Sequence, residues 1–142
     1  MAITQALCAS FKAELLEAQH NFNALTGDVF KVALYTSAAS LDSSTTSYTT
    51  VGEVVGSGYV AGGNVLAGQS VGLSGNSAYV AFTNSAWDNS AITAVGAMVY
   101  NSSNANKAVF VLNFGGPYSS TNNTFTVVFP SATSTTSPLI IN

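Results

Sequence analysis

The segment that most constrains the fold is Asp28–Tyr35, which follows the one strong helical pattern in the chain. Its side chains alternate between two faces: Phe30, Val32 and Leu34 lie on one, and Val29, Lys31, Ala33 and Tyr35 on the other. A period of two is typical of a half-buried β-strand. We therefore expect this strand to join an N-terminal helix to a β-rich remainder.

A helix is predicted over Met1–Phe22, because apolar side chains recur there every three or four residues. The stripe consists of Ile3, Leu7, Phe11, Leu15, Ala18 and Phe22. Thr4 is a candidate N-cap, and Gly27 suits a stop with positive φ. Such a helix either lies across the sheet of its own domain or forms an arm that packs on a neighbouring subunit.

Two stretches after the first strand are interpreted as irregular. Residues 36–51 are polar and rich in hydroxyls, which indicates a long surface loop anchored by Leu41 and Tyr48. Glycines at 56, 58, 62 and 63 resemble a phosphate-binding loop, but no Gly-Lys-Ser/Thr ending or helical pattern follows them. We interpret these glycines as turns and bulges in β-structure.

Short strand candidates separated by turn residues occupy the rest of the chain. They are Asn64–Ala67, Ala78–Phe82, Thr93–Tyr100, Lys107–Phe114, Phe125–Phe129 and an edge candidate at Leu139–Ile141. Residues 100–107 indicate a hairpin connection, and Gly115-Gly116-Pro117 is expected to break the chain. Pro130 is expected to stop a strand, and the hydroxyl-rich residues 131–137 to lead to Pro138.

Six to eight short strands favour an all-β sandwich or jelly roll with one N-terminal α-helix. At 142 residues the chain is predicted to be a single domain, residues 1–142. Within it, residues 1–22 form the helix or arm and residues 28–142 the β-rich domain. Trp87 is expected to close one end of the core, since a tryptophan buries a large area.

Composition limits the classes of partner. Only 6% of the residues are charged, there is no arginine, and the net charge is −3. Lys12, Lys31 and Lys107 are scattered, so nucleic-acid binding is not expected. A weakly charged and moderately apolar chain tends to associate, so a homo-oligomer is predicted, the alternative being a neutral, hydroxyl-rich monomer. Without a basic N-terminal region or a run of about 18 apolar residues, neither a signal peptide nor a membrane span is expected.

Catalytic, cofactor and metal sites are all predicted to be absent. Cys8 is expected to be a buried thiol, and His20 has no ligand-type residue at metal-site spacing. The acids Asp28, Asp42, Glu53 and Asp88 are isolated in sequence beside turn residues. We therefore predict that the protein is not an enzyme and needs no cofactor, and the glycosylation patterns at residues 101 and 122 are discounted for want of a secretory signal.

A saccharide site is the alternative to a purely structural use of the aromatic residues. Its candidates are Tyr35, Tyr48, Tyr59, Trp87 and Tyr118, accompanied by many asparagines. The simpler interpretation places these aromatic residues in the core and at its rim.

Several segments resemble a family of small structural proteins encoded by tailed bacteriophages. They are residues 4–16, 20–22 and 27–37, then Gly56–Asn64, Gly96–Ser102, Lys107–Val109 and Phe125–Pro130. The resemblance follows the chain in order over nearly its whole length. It brings no catalytic residues with it.

The resemblance implies a virion protein made in the bacterial cytoplasm. Small β-sandwich proteins of tailed phages serve as capsid cement, or decoration proteins, that bridge subunits of the head shell. The implied partners are the major capsid protein or other virion proteins. The alternative is a tail or fibre adaptor, or a receptor-binding saccharide module.

Overall fold

The computed structural model describes residues 2–130 and 139–141. Its elements, in chain order, are β1 (Ala6–Leu7), α1 (Ala9–Leu16), β2 (Phe30–Tyr35), β3 (Asn64–Val65), β4 (Ser70–Ser74), β5 (Ser77–Ala81), β6 (Ser85–Asn101), β7 (Lys107–Val127) and β8 (Leu139–Ile141). One sheet has the order β1-β7-β6-β2-β3, and the second has the order β4-β5-β8. All strand pairs in both sheets are antiparallel. The predicted fold class, a mainly-β sandwich with one helix, is confirmed.

Strand β2 lies inside the larger sheet and is buried on both faces, so the prediction of a half-buried strand is wrong. Phe30, Val32 and Leu34 are fully buried on one face, and Ala33 and Tyr35 are fully buried on the other. One face packs against the aromatic side chains that follow α1, with the rings of Phe30 and its neighbour Phe22 stacked 4.3 Å apart. The loop between β2 and β3 covers the other face. The alternation of side chains within β2 cannot show that a separate segment of the chain packs on that face.

The helix is much shorter than predicted, covering residues 9–16 instead of 1–22. Cys8, not Thr4, is the N-cap residue, and it has no side-chain capping bond. The preceding residues form β1, which pairs with Phe110 and Val111 of β7. The open edge of β7 satisfies these backbone groups, which explains why the apolar stripe does not continue as helix.

In this structure the residues before β2 pack on their own domain, the first of the two placements left open for the N-terminal segment. Phe11 is 1% exposed, and Ile3, Cys8 and Phe22 are also buried in the core. Ala18, with φ of 58°, ends the helical turn early. His20, which the predicted helix would have contained, therefore lies beyond the end of α1.

Strands β6 and β7 form a hairpin far longer than the short strands expected in this region. The predicted turn between them is confirmed at residues 102–106. The expected break at residues 115–117 is instead a bulge inside β7, because the register moves from Gly96–Asn113 to Ala94–Tyr118. Pairing with β6 continues on both sides of the bulge and keeps β7 in one strand. Trp87 is buried as predicted, but it lies within β6.

The second sheet contains one strand that sequence reasoning missed. β4 and β5 form a hairpin around Gly75-Asn76, with Ser74 opposite Ser77. A Gly-Asn pair between two short segments is a hairpin signal that was available in the sequence. The predicted strand at 139–141 is confirmed as β8, which pairs with β5 at the sheet edge. Residues 131–138, predicted as a polar lead to β8, lie outside the described residues.

The loop between β2 and β3 is anchored as the sequence indicated. Leu41 is 2% exposed, and Tyr48 packs partly buried against the core. The expected turns between residues 56 and 63 are present, and Gly58, Gly62 and Gly63 all have positive φ. This loop also carries a buried carboxylate, that of Glu53.

Candidate functional site

A buried carboxylate lies at the centre of the loop between β2 and β3. Glu53 is 8% exposed, and its side chain accepts three hydrogen bonds. Tyr48 Oη donates to Oε2 over 2.6 Å, while Tyr59 Oη and the N–H of Gly62 each donate to Oε1 over 2.7 Å. We call Glu53 and the tyrosines around it, Tyr35, Tyr48, Tyr59 and Tyr100, the tyrosine cluster.

The other two tyrosines of the cluster fasten the loop through its backbone. Tyr35 Oη donates to the carbonyl of Thr49 and Tyr100 Oη to the carbonyl of Gly62, each over 2.7 Å. The ring of Tyr100 stacks on that of Tyr48, with centroids 4.7 Å apart. The cluster therefore fastens the loop to β2 and β6.

Burial is the main cause of raised pKa values in the cluster. Loss of solvent, followed by the charge of Glu53, raises the pKa of Tyr100 to about 12. Burial likewise raises the pKa of Tyr35, Tyr48 and Tyr59 well above the ordinary value for tyrosine. These hydroxyls are hydrogen-bond donors, and the arrangement acts as a structural clamp.

The five aromatic candidates for a saccharide site do not form an open site, because four of them meet in the interior, where the ring of Trp87 lies 5.9 Å from that of Tyr59. Tyr35, Tyr48 and Tyr59 point into the tyrosine cluster, and Trp87 is 4% exposed. Tyr118 alone among the five is exposed, at 58%. Sequence reasoning missed the fourth tyrosine of the cluster, Tyr100, although it lies opposite Lys31 and so shares the face of β2 that carries Tyr35.

A second polar network explains His20. Its Nε2 lies 3.2 Å from Glu14 Oε1, and its Nδ1 lies 3.1 Å from Asn101 Nδ2. Asn101 Nδ2 also donates to Asp28 over 2.7 Å, and Lys107 Nζ pairs with Glu14 over 3.0 Å. The network ties the segment after α1 to the β6–β7 turn, which is a structural role. Because Asn101 is fully buried here, its glycosylation pattern is not accessible in the fold.

The remaining candidate residues, Asp42, Asp88 and Cys8, do not form a shared site. Asp42 accepts hydrogen bonds from Ser44, whose hydroxyl and N–H hold the pKa of that carboxyl below its usual value. Asp88 accepts a hydrogen bond from Thr124 over 2.9 Å. Cys8 is fully buried, and loss of solvent with the charges of Glu14 and Asp42 raises the pKa of its thiol to about 11. Within residues 2–130 and 139–141, no group of three metal-ligating side chains comes together.

A groove of about 630 Å³ lies beside the far part of β7 and is here called the distal groove. Its lining is aromatic and aliphatic with interspersed amides and hydroxyls: Gln5, Leu112, Asn113, Phe114, Tyr118, Ser119 and residues 124–130. None of these side chains is charged. The rings of Phe114 and Tyr118 meet edge to face, with centroids 6.4 Å apart.

The outer edge of β7 borders the distal groove. β1 pairs with β7 only at Phe110 and Val111, so from residue 112 to 127 no described strand pairs with this edge. An edge without a described strand partner therefore accompanies an uncharged, partly aromatic surface. Side chains accept from two of its N–H groups, Gln5 Oε1 from Asn113 and Asn113 Oδ1 from Gly115. Sequence reasoning missed the groove because it forms from residues on both sides of the bulge in β7.

Comparisons with known proteins identify no relative. No protein family, curated protein or solved structure matches this chain. Among the described residues, no helix is both long and apolar enough to cross a membrane.

Proposed function

We propose that this chain is a bacteriophage virion structural protein that acts as capsid cement, bridging subunits of the head shell without catalysing a reaction. The observation that carries the proposal is the composition of the distal groove. It combines exposed aromatic and aliphatic side chains with hydroxyls and amides, and it lacks charge. Interface cores between proteins have this character, with aromatic residues enriched and charged residues depleted.

The groove and the open edge of β7 together offer a surface for the major capsid protein. An incoming strand or loop would satisfy backbone groups along the edge while its apolar side chains enter the groove. Tyr118 and Val128, 58% and 70% exposed, would lose solvent in such a contact. The resemblance to phage structural proteins supports the same partner.

The proposed mechanism is mechanical. Each bound copy would bury apolar and hydroxyl-bearing surface across a junction between shell subunits and so oppose their separation. Because many copies bind one lattice, each contact can be weak while the assembly holds. The tyrosine cluster and the network of His20 contribute by keeping the domain rigid under load.

The first test is the copy number of this protein in purified particles, measured by quantitative mass spectrometry relative to the major shell protein. A near-stoichiometric amount is expected for capsid cement. A few copies per particle would move the protein to a vertex or the tail, and absence from particles would overturn the virion proposal.

The second test addresses the distal groove directly. Tyr118→Lys combined with Val128→Lys places two charges in the groove and is expected to abolish binding to shells that lack the protein. Val51→Lys combined with Val60→Lys adds the same two charges at loop residues that are 65% and 77% exposed, and this matched control should bind normally. Equal binding of both variants would rule out the groove as the shell contact.

A tail or fibre module that binds saccharides is the second candidate, favoured by one observation. Tyr118 is an exposed ring in a groove that also contains Asn113, Ser119 and Thr124, and sugars bind to such combinations of ring and polar group. Glycan-array binding by the isolated protein that is lost in Tyr118→Ala would favour this function over cement.

A further inference from the structure

The strand β4 is an exposed edge. It pairs with β5 on one side, and no described strand lies on its other side. Val71 and Leu73 are 57% and 78% exposed. Natural sheets protect such edges with charges, prolines or bulges, but Ser70–Ser74 contains no charge or proline, and its register with β5 is continuous.

The hairpin determines which backbone groups face outward. Ser74 and Ser77 flank the two-residue turn, in which Gly75 has φ of 58°. In a two-residue hairpin the closing pair exchanges hydrogen bonds, and bonded pairs then alternate along the ladder. Gly72 is therefore bonded to β5, while the N–H and C=O groups of Val71 and Leu73 point away from it.

The sequence of β4 is nearly symmetric about its centre. It reads Ser70-Val71-Gly72-Leu73-Ser74. Two copies of this strand, paired antiparallel about Gly72, place each Val71 opposite Leu73 of the other copy and each Ser70 opposite Ser74. The outward backbone groups of Val71 and Leu73 then meet in two bonded pairs, giving four hydrogen bonds.

We propose that β4 is a self-association site, through which two copies of this chain join their smaller sheets into one six-stranded sheet. The two-fold axis passes between the two Gly72 residues, so one patch serves both partners. A second copy presents the same open edge, and because Ser70–Ser74 is uncharged, pairing the strand with itself places no like charges opposite each other. The inference rests on the strand itself and does not depend on the proposed function.

The neighbouring surface is compatible with this dimer. On the outer face the ring of Tyr79 covers Gly72, where an added Cβ would lie 2.5 Å from it. On the other face a groove of about 740 Å³ reaches from Val71 to Leu25, which is 95% exposed, and to Ile141. Apolar surface therefore continues from the strand onto the adjoining loop.

The dimer should be weak and dependent on concentration. A pair of five-residue strands buries less than the roughly 1,200 Å² of a standard stable interface, even with help from the groove. Sedimentation of the full chain over a wide range of concentration should show a monomer of 14.5 kDa converting to twice that mass. A monomer at every concentration up to millimolar would overturn the proposal.

A charge-swap experiment tests the pairing. In Val71→Lys/Leu73→Lys, each introduced lysine lies opposite another, and in Val71→Glu/Leu73→Glu each introduced glutamate lies opposite another. Like charges directly opposite destabilise a strand pair, so each variant alone should have a dissociation constant raised by about tenfold or more. An equimolar mixture should dimerise again, because lysine then lies opposite glutamate.

The matched control is Val51→Lys/Val60→Lys, which changes two loop valines that are 65% and 77% exposed. It should dimerise like the unchanged chain. Circular dichroism of every variant establishes that it is folded. A dimer that persists in both charged variants, or a mixture that stays monomeric, would contradict pairing through β4.

Cysteine cross-linking tests the register. Across the proposed axis, Ser70 and Ser74 of the other copy form a pair without hydrogen bonds, with Cα atoms about 4.5 Å apart, which suits a disulfide. A mixture of Ser70→Cys and Ser74→Cys should cross-link on mild oxidation. Each variant alone should not, because identical positions lie about 13 Å apart along the strands. Cross-linking of either variant alone at the rate of the mixture would refute this register, and the buried Cys8 stays out of reach.

Discussion

At the scale of single residues, a few buried polar groups that form several hydrogen bonds hold the loops to the sheets. The buried carboxylate of Glu53 accepts three hydrogen bonds. Hydrogen bonds to a charged group are stronger than neutral ones, and removing the acceptor leaves its donors unpaired. The cluster therefore holds the loop between β2 and β3 in place and fixes its conformation.

Replacing this carboxylate should be costly. We expect Glu53→Ala to lower the free energy of unfolding by about 3 kcal/mol or more, because buried donors lose their acceptor. Glu53→Gln should cost less, since its amide oxygen still accepts. Urea denaturation gives both values. Asp88→Asn, at an exposed carboxylate, should change stability by less than about 0.5 kcal/mol, and an equally small effect of Glu53→Ala would contradict the clamp.

The same cluster predicts destabilisation by alkali. The pKa values of Tyr35, Tyr48, Tyr59 and Tyr100 are raised in the folded protein, so near pH 11 the unfolded chain has lost protons that the folded chain still holds. Stability is thus fully present below the unfolded tyrosine pKa of about 10 and falls as pH rises above it. The share of the tyrosinate absorbance that belongs to these four of the six tyrosines should rise in one steep step, together with loss of near-ultraviolet circular dichroism. Ionisation of all four tyrosines in a protein that stays folded would refute this.

At the scale of elements, helix formation and strand pairing compete in the N-terminal segment, and the outcome sets where α1 begins. The apolar spacing of residues 3–22 favoured one long helix, yet the open edge of β7 takes up Ala6 and Leu7 as a strand. The eight-residue helix that remains is held by Phe11 against the core. Tertiary pairing overrides local periodicity here.

Two substitutions in α1 test whether it belongs to the core. Phe11→Ala removes a ring that is 1% exposed and should lower the free energy of unfolding by about 3–5 kcal/mol. Leu16→Ala, at a side chain 91% exposed, should be close to neutral, because alanine favours helix at least as well. Similar small effects of both changes would indicate a helix that does not hold the fold together.

In the β6–β7 hairpin the prediction erred in the other direction: turn residues indicated that the strands end where they in fact continue. Gly115-Gly116-Pro117 has the residues of a turn, yet the two strands pair again beyond it. The extra residues are absorbed as a bulge because β6 provides a continuous partner. The distal groove follows from this arrangement, and no single segment of sequence contains it.

At the scale of the whole molecule, charge is distributed very unevenly. No charged residue occurs between Glu53 and Asp88, and none after Lys107. These segments form β3, β4, β5, β7 beyond its first residue, and β8. Both candidate interaction surfaces, the distal groove and the β4 edge, therefore lie on uncharged elements.

This distribution predicts that binding to particles is insensitive to salt. Screening weakens exposed ion pairs but hardly affects apolar contacts or hydrogen bonds between neutral groups. We expect the protein to remain on purified particles in molar sodium chloride, as measured by sedimentation followed by quantification of both fractions. Clean release at moderate salt would refute an interface of this kind.

The sequence by itself determined the class of fold, the burial of Cys8 and Trp87, the β6–β7 turn and the edge strand β8, because short periodic segments and turn residues act locally. It also supplied the expectation of a non-enzymatic virion protein, which remains a proposal. Only the tertiary structure decided that β2 is covered on both faces, that four tyrosines surround Glu53, and that no described strand pairs with the second edge of β4. Those features depend on contacts between segments that are far apart in the sequence. The spacing of apolar residues within one segment does not show which other segment it will contact.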